Sequence, residues 1–151
     1  MLASGFAGAS RRRVGYCVKV IDGLSALDPL AGSVLTIGNF DGVRDEADFV
    51  IGRIQQWLAQ GGLLAADTGH PLTVLTFEPH PLAVVAPDKA PARLATREEK
   101  LAQLAAGGAD LAVVARSTVE LLSLEPEAFV RDVIVAKFRP SHVVEGHSFG
   151  F

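Results

Sequence analysis

The order of apolar runs and amphipathic stretches predicts an α/β fold, with a mostly parallel sheet, helices on both faces and right-handed crossovers. Two observations carry that expectation. Residues 34–37, 72–77 and 111–115 are short, continuously apolar runs of the kind that form strands buried on both faces, and helical periodicity separates them. Polar turns at 38–42, 78–81 and 146–150 then fall at the carboxyl ends of strands, where ligands bind in such sheets, at the point where strand order reverses.

Taken in order, residues 16–21 alternate well enough for a strand, and Asp22-Gly23 marks a turn. The run Val34-Leu35-Thr36-Ile37 leads into Gly38-Asn39-Phe40-Asp41-Gly42. There, glycines on both sides of Asp41 are expected to permit positive φ and a close ligand approach. The turn is neither a Walker loop nor a Gly-x-Gly-x-x-Gly fingerprint. Phe49, Val50, Ile51, Ile54, Trp57 and Leu58 recur at helical spacing, and Gly61-Gly62 is expected to end that helix, leaving 61–71 as a loop. The second buried strand, 72–77, stops at Glu78-Pro79-His80-Pro81, where two prolines argue against both ladder and helix.

Thr96-Arg97-Glu98-Glu99 matches a capping box, in which hydroxyl and carboxylate satisfy free amides at a helix start. Leu101, Leu104 and Ala105 give that helix its inner face, and Gly107-Gly108 ends it. After the strand at 111–115, Glu125-Pro126 opens a further helix, with Phe129, Val130, Val133, Ile134 and Phe138 as its inner stripe and Pro140 as its end. Residues 141–145 are expected to form the fourth core strand.

Bulk properties narrow the function. With 151 residues, 49% of them apolar and 21% charged, the chain has the composition of one globular domain, 15–151, behind a loose tail at 1–14. A net charge of −3 argues against nucleic-acid binding, which needs clustered Lys and Arg. No apolar run approaches the ~20 residues that span a bilayer. The single cysteine, Cys17, forms no internal disulfide and suits a reducing compartment, so the expected location is cytoplasmic. Among His70, His80, His142 and His147 there is no His-x-x-x-His pair and no cysteine ligand nearby, so no protein-held metal is expected. Small-molecule partners fit best.

Three segments, Leu35-Thr36-Ile37-Gly38-Asn39-Phe40-Asp41-Gly42-Val43, Phe77-Glu78-Pro79-His80-Pro81 and Val143-Val144-Glu145-Gly146-His147-Ser148-Phe149, resemble in order and spacing the bacterial bifunctional riboflavin kinase/FMN adenylyltransferase family, or FAD synthetase. Residues 96–100 and 124–129 are similar to it as well. The resemblance implies the amino-terminal FMN adenylyltransferase module, a Rossmann-like nucleotidyltransferase of riboflavin and FAD biosynthesis. Its substrates would be ATP and FMN, with Mg2+. It implies that Gly38, Asn39, Phe40, Asp41, Gly42, Gly146 and Ser148 line the ATP side, while Glu78 and His80 face the flavin phosphate.

The sequence departs from that family in two places. Where the family carries His-x-Gly-His, this chain has Arg44-Asp45-Glu46-Ala47, so the two imidazole positions are Arg44 and Ala47. A carboxylate about 6 Å from a phosphate charge, at an effective dielectric of ~20, costs roughly 3 kcal/mol, or about a hundredfold in affinity. Acids at that point also suit a helix amino terminus, where they cap free amides. The family further continues into a fifth strand, a closing motif and a riboflavin kinase domain, so the sheet is expected to be incomplete at its C-terminus and the chain to be a truncated synthetase. Impaired catalysis is the expectation, with a non-catalytic nucleotide- or flavin-binding relative as the alternative. Gly146-His147-Ser148-Phe149-Gly150 also spells a hydrolase nucleophile elbow, a distant alternative because that elbow needs a helix, an acid and a histidine after the serine.

Overall fold

The computed structural model describes residues 17–40 and 47–145, and the side chains of 47–57 lie outside that description. The strands are Lys19–Asp22 (β1), Ser33–Ile37 (β2), Leu72–Glu78 (β3), Leu111–Arg116 (β4) and Pro140–Val143 (β5). The helices are Ala47–Thr68 (α1), Pro81–Val85 (α2), Arg97–Ala106 (α3), Val119–Leu122 (α4) and Pro126–Phe129 (α5), the last running on as a π-helical stretch, Val130–Phe138. Every strand pairing is parallel, and the order across the sheet is β1-β4-β3-β2-β5.

Side-chain alternation splits the core into two layers. Leu35, Ile37, Leu75, Val113 and Ala115 face Phe129, Val133, Ile134 and Phe138 on one side of the sheet. Val34, Leu72, Val74 and Ala112 face Leu58 of α1 and Leu104 of α3 on the other. All five residues of β2 are buried, as a strand covered on both faces requires. The α/β architecture with helices on both faces is the one the sequence predicts. Among the described residues no helix is long and apolar enough to cross a membrane.

Four local expectations are corrected. Gly61-Gly62 does not end α1, which continues to Thr68. A Cβ at Gly61 would lie 2.7 Å from Leu72 Cδ1, so this glycine permits close helix-to-strand packing; the helix stops at Gly69, whose φ is 71°. The turn after β3 does open a helix, since Pro81 occupies its first turn, where no amide partner is missed. Val130 lies 41% exposed, outside the inner stripe, because the wider π turn rotates it away from the residues that follow. Residues 141–145 are not a core strand: β5 is four residues long, sits outermost beside β2 and leaves Ser141, His142 and Val143 exposed. The capping box stands as expected, with Thr96 Oγ1 accepting from Glu99 N and Glu99 Oε2 accepting from Thr96 N.

Strand order fixes where a ligand can sit. From β2 the chain steps to β3 and β4 in one direction, then crosses back to place β5 on the far side of β2. The reversal therefore lies between β2 and β5, at the carboxyl edge that carries Gly38.

Candidate functional site

At the carboxyl end of β2, Gly38 N donates to Leu75 O at 3.0 Å, and Asn39 O accepts from Thr76 Oγ1 at 3.3 Å. Both bonds tie the turn to β3. Gly38 does not take the positive φ expected of it, whereas Phe40 does, at 53°; Gly42 lies outside the described residues. A Cβ at Gly38 would lie 3.3 Å from the Phe40 ring, so Gly38 serves the close return of that ring, which packs against the Val34–Leu58 layer. Asn39 Oδ1 is buried and accepts no hydrogen bond from the described residues. A buried acceptor left open costs free energy in a finished core and is common where a ligand completes the structure. Asp41, Gly42, Arg44, Gly146 and Ser148, with the rest of the 146–150 motif, lie outside the described residues; Ala47 is the first residue of α1.

The turn after β3 is internally satisfied. Glu78 Oε1 pairs with Arg93 at 2.8 Å, and Glu78 Oε2 lies 3.5 Å from the buried Lys100 Nζ. His80 Nδ1 accepts from Leu82 N at 3.1 Å and so caps α2. Ser117 Oγ donates to Pro79 O at 2.6 Å, which binds this turn to the segment after β4. Beside it, α2 packs on α4 and leaves Leu82, Val85 and Val119 exposed, an apolar lip that the sequence pattern did not reveal. The same edge carries an ion pair between Asp22 of β1 and Arg97 of α3.

One functional candidate was missed by the sequence. Glu145 follows β5, and its Oε1 accepts from Ile37 N at 2.8 Å, immediately before the Gly38 turn. Burial pushes its carboxyl up to about 7, against the opposing pull of the Ile37 amide. The two residues stand 108 positions apart, so no local signal could pair them. Among the described residues no group of three or more His, Cys, Asp or Glu side chains could hold a metal ion.

A parallel sheet reversing beside β2, with Ile37 at the end of β2 and Glu145 after β5 joined across that reversal, is an α/β domain of the Rossmann-like kind. A family model described as FAD synthetase matches residues 28–151, which include β2 to β5 and both turns, and the chain belongs to that family. No curated protein matches the chain. Among solved structures it is similar to a macrolide-efflux protein from Streptococcus pneumoniae, with a TM-score of 0.73 and 19% identity, over 89% of this chain. It spans 43% of that protein, and the likeness is one of fold.

Proposed function

We propose that this chain is an FMN adenylyltransferase domain with impaired turnover. The reaction joins the FMN phosphate oxygen to the α-phosphorus of ATP and breaks the bond to the β-phosphate oxygen, giving FAD and pyrophosphate. One observation carries the reading: the FAD synthetase match spans the two segments that meet at the strand-order reversal, Ile37 to Phe40 and Glu145. Asn39 Oδ1 offers an open acceptor there for a ribose hydroxyl or an exocyclic amine. The lip of Leu82, Val85 and Val119 beside His80 suits a flat apolar ring such as the flavin.

With so little nucleophilic chemistry for the protein to supply, its contribution is positioning and charge neutralisation. A magnesium ion brought by the triphosphate would neutralise charge on the departing pyrophosphate. Glu78 is already neutralised by Arg93 and Lys100, so its role toward the flavin phosphate is to hold those cations at the edge. The partners are small molecules, a nucleotide and a flavin, in the cytoplasm.

Impairment rests on Arg44-Asp45-Glu46-Ala47, which replaces two imidazoles of the family motif with one guanidinium and adjacent acids. The same substitution favours a second reading, a relative that binds nucleotide or flavin without turnover. Incubation of the protein with FMN, ATP and Mg2+, with FAD resolved by chromatography, tests both. Slow FAD formation is expected; family-like turnover overturns the impairment, and bound ligand without product selects the second reading. Absence of ATP, FMN and FAD binding overturns the assignment. Replacing Arg44→His, Glu46→Gly and Ala47→His together is expected to raise ATP affinity by about a hundredfold.

A further inference from the structure

The parallel ladder between β2 and β5 does not simply fray at its carboxyl end. Leu35 pairs with Val143, and Leu35 O accepts from Val144 N at 2.8 Å. Along β2, alternate residues turn their amides to opposite neighbours, so the next amide facing β5 is that of Ile37. A continued ladder would give it a backbone carbonyl. Instead the Glu145 side chain turns back and supplies Oε1 at 2.8 Å. Ile37 is 7% exposed, so without this acceptor its N–H would be a buried donor lacking a partner.

The bond has a directional consequence. On its β3 side the turn is fastened through Gly38 N and Asn39 O, as described above. On its β5 side, among the described residues, the side-chain attachment is the Glu145 carboxylate. The residue that supplies it immediately precedes Gly146. We propose that Glu145 is a positioning residue of the nucleotide site, its carboxylate fixing the spacing between the carboxyl ends of β2 and β5, at the strand-order reversal where ATP would bind. This rests on the functional reading above.

A carboxylate is costly to keep in this half-buried place, as the upward shift of its pKa shows. A glutamine would cap the same amide without that penalty. Reach matters more than charge: Gln keeps the acceptor at the same distance, Asp keeps the charge but falls one methylene short, and Ala removes both.

Calorimetric titration of the unaltered chain, Glu145→Gln, Glu145→Asp and Glu145→Ala with Mg-ATP, paired with amide hydrogen exchange at Ile37, tests the inference. Expected are ATP affinity within about twofold of the unaltered chain for Gln and at least tenfold weaker for Asp and Ala, with fast Ile37 exchange in the last two. Unchanged affinity in a folded Asp or Ala variant that has lost Ile37 protection overturns the inference alone. So does loss of affinity in Gln with Asp retained, which would make charge the operative feature. Should Ala fail to fold, Asp and Gln decide between these outcomes. No ATP binding by the unaltered chain, with Ile37 protected, overturns the functional reading and this inference with it.

Discussion

The two turns at the carboxyl edge of the sheet differ in how completely they are satisfied. After β3, the Glu78 carboxylate, the His80 imidazole and the Pro79 carbonyl each meet a partner within the protein. After β2, Asn39 Oδ1 is buried with none among the described residues, and Phe40 holds a left-handed backbone conformation that an aromatic residue adopts only when its surroundings impose it. The first turn is a finished part of the fold. The second, as far as Phe40, leaves a buried acceptor open toward the described residues at the point where strand order reverses.

The sharpest way to break this comparison is to damage the satisfied turn. Glu78→Ala removes a carboxylate beside both Arg93 and the buried Lys100. It is expected to cost about 2–3 kcal/mol in urea unfolding, somewhat less than a fully buried pair, because Glu78 reaches solvent. A cost below about 0.5 kcal/mol would show that this turn is held by its backbone alone.

A paired exchange sharpens the contrast. His80→Ala should lower stability by about 0.5–1 kcal/mol through loss of a helix cap and leave Mg-ATP affinity unchanged. Asn39→Ala should do the reverse, leaving stability near that of the unaltered chain, since the lost carbonyl has no partner among the described residues, while weakening Mg-ATP binding by about tenfold. Thermal melts and calorimetry on the same preparations read both; equal effects of the two variants on binding would erase the distinction.

The smallest expected effect is on pH dependence. Glu145 has a folded pKa of about 7, above its ordinary value of 4.5, so the folded chain holds this proton more tightly than the unfolded chain. Its contribution to stability is complete below about 4.5 and is lost as pH rises toward 7. Glu145→Gln should therefore flatten the stability profile across that window. Glu99 acts in the opposite sense: its hydrogen bonds to Thr96 lower its pKa, so its contribution is present at neutral pH and fades on acidification below the ordinary value. Chemical unfolding at a series of pH values separates them, because only the Glu145 component disappears in the Gln variant.

Much of the fold was legible in the sequence because its signals are local. Continuous apolar runs located β2, β3 and β4, and Thr96 with Glu99 announced the start of α3 to the residue. Where the reading failed, a distant neighbour overrode a local preference. Two adjacent glycines look like a helix stop, yet Leu72 lies where a Cβ of Gly61 would stand, and the helix runs through that contact. Proline after β3 looks like a breaker, yet with His80 as its cap it begins a helix. The candidate site was legible as motifs and not as an arrangement: Gly38, Asn39, Phe40, Glu78 and His80 were all marked as candidates, but which of them were already satisfied was not.

The sequence by itself determined the three central strands, the main helices between them, their order and the family to which the chain belongs, since periodicity, capping and motif spacing all act over a few residues. Only the tertiary structure decided that β5 lies outermost beside β2, that Arg93 and Lys100 meet Glu78, and that Glu145 closes on the Ile37 amide. Those pairings join residues far apart along the chain. They form because a buried donor or charge must be satisfied by whichever group the packed sheet brings within reach.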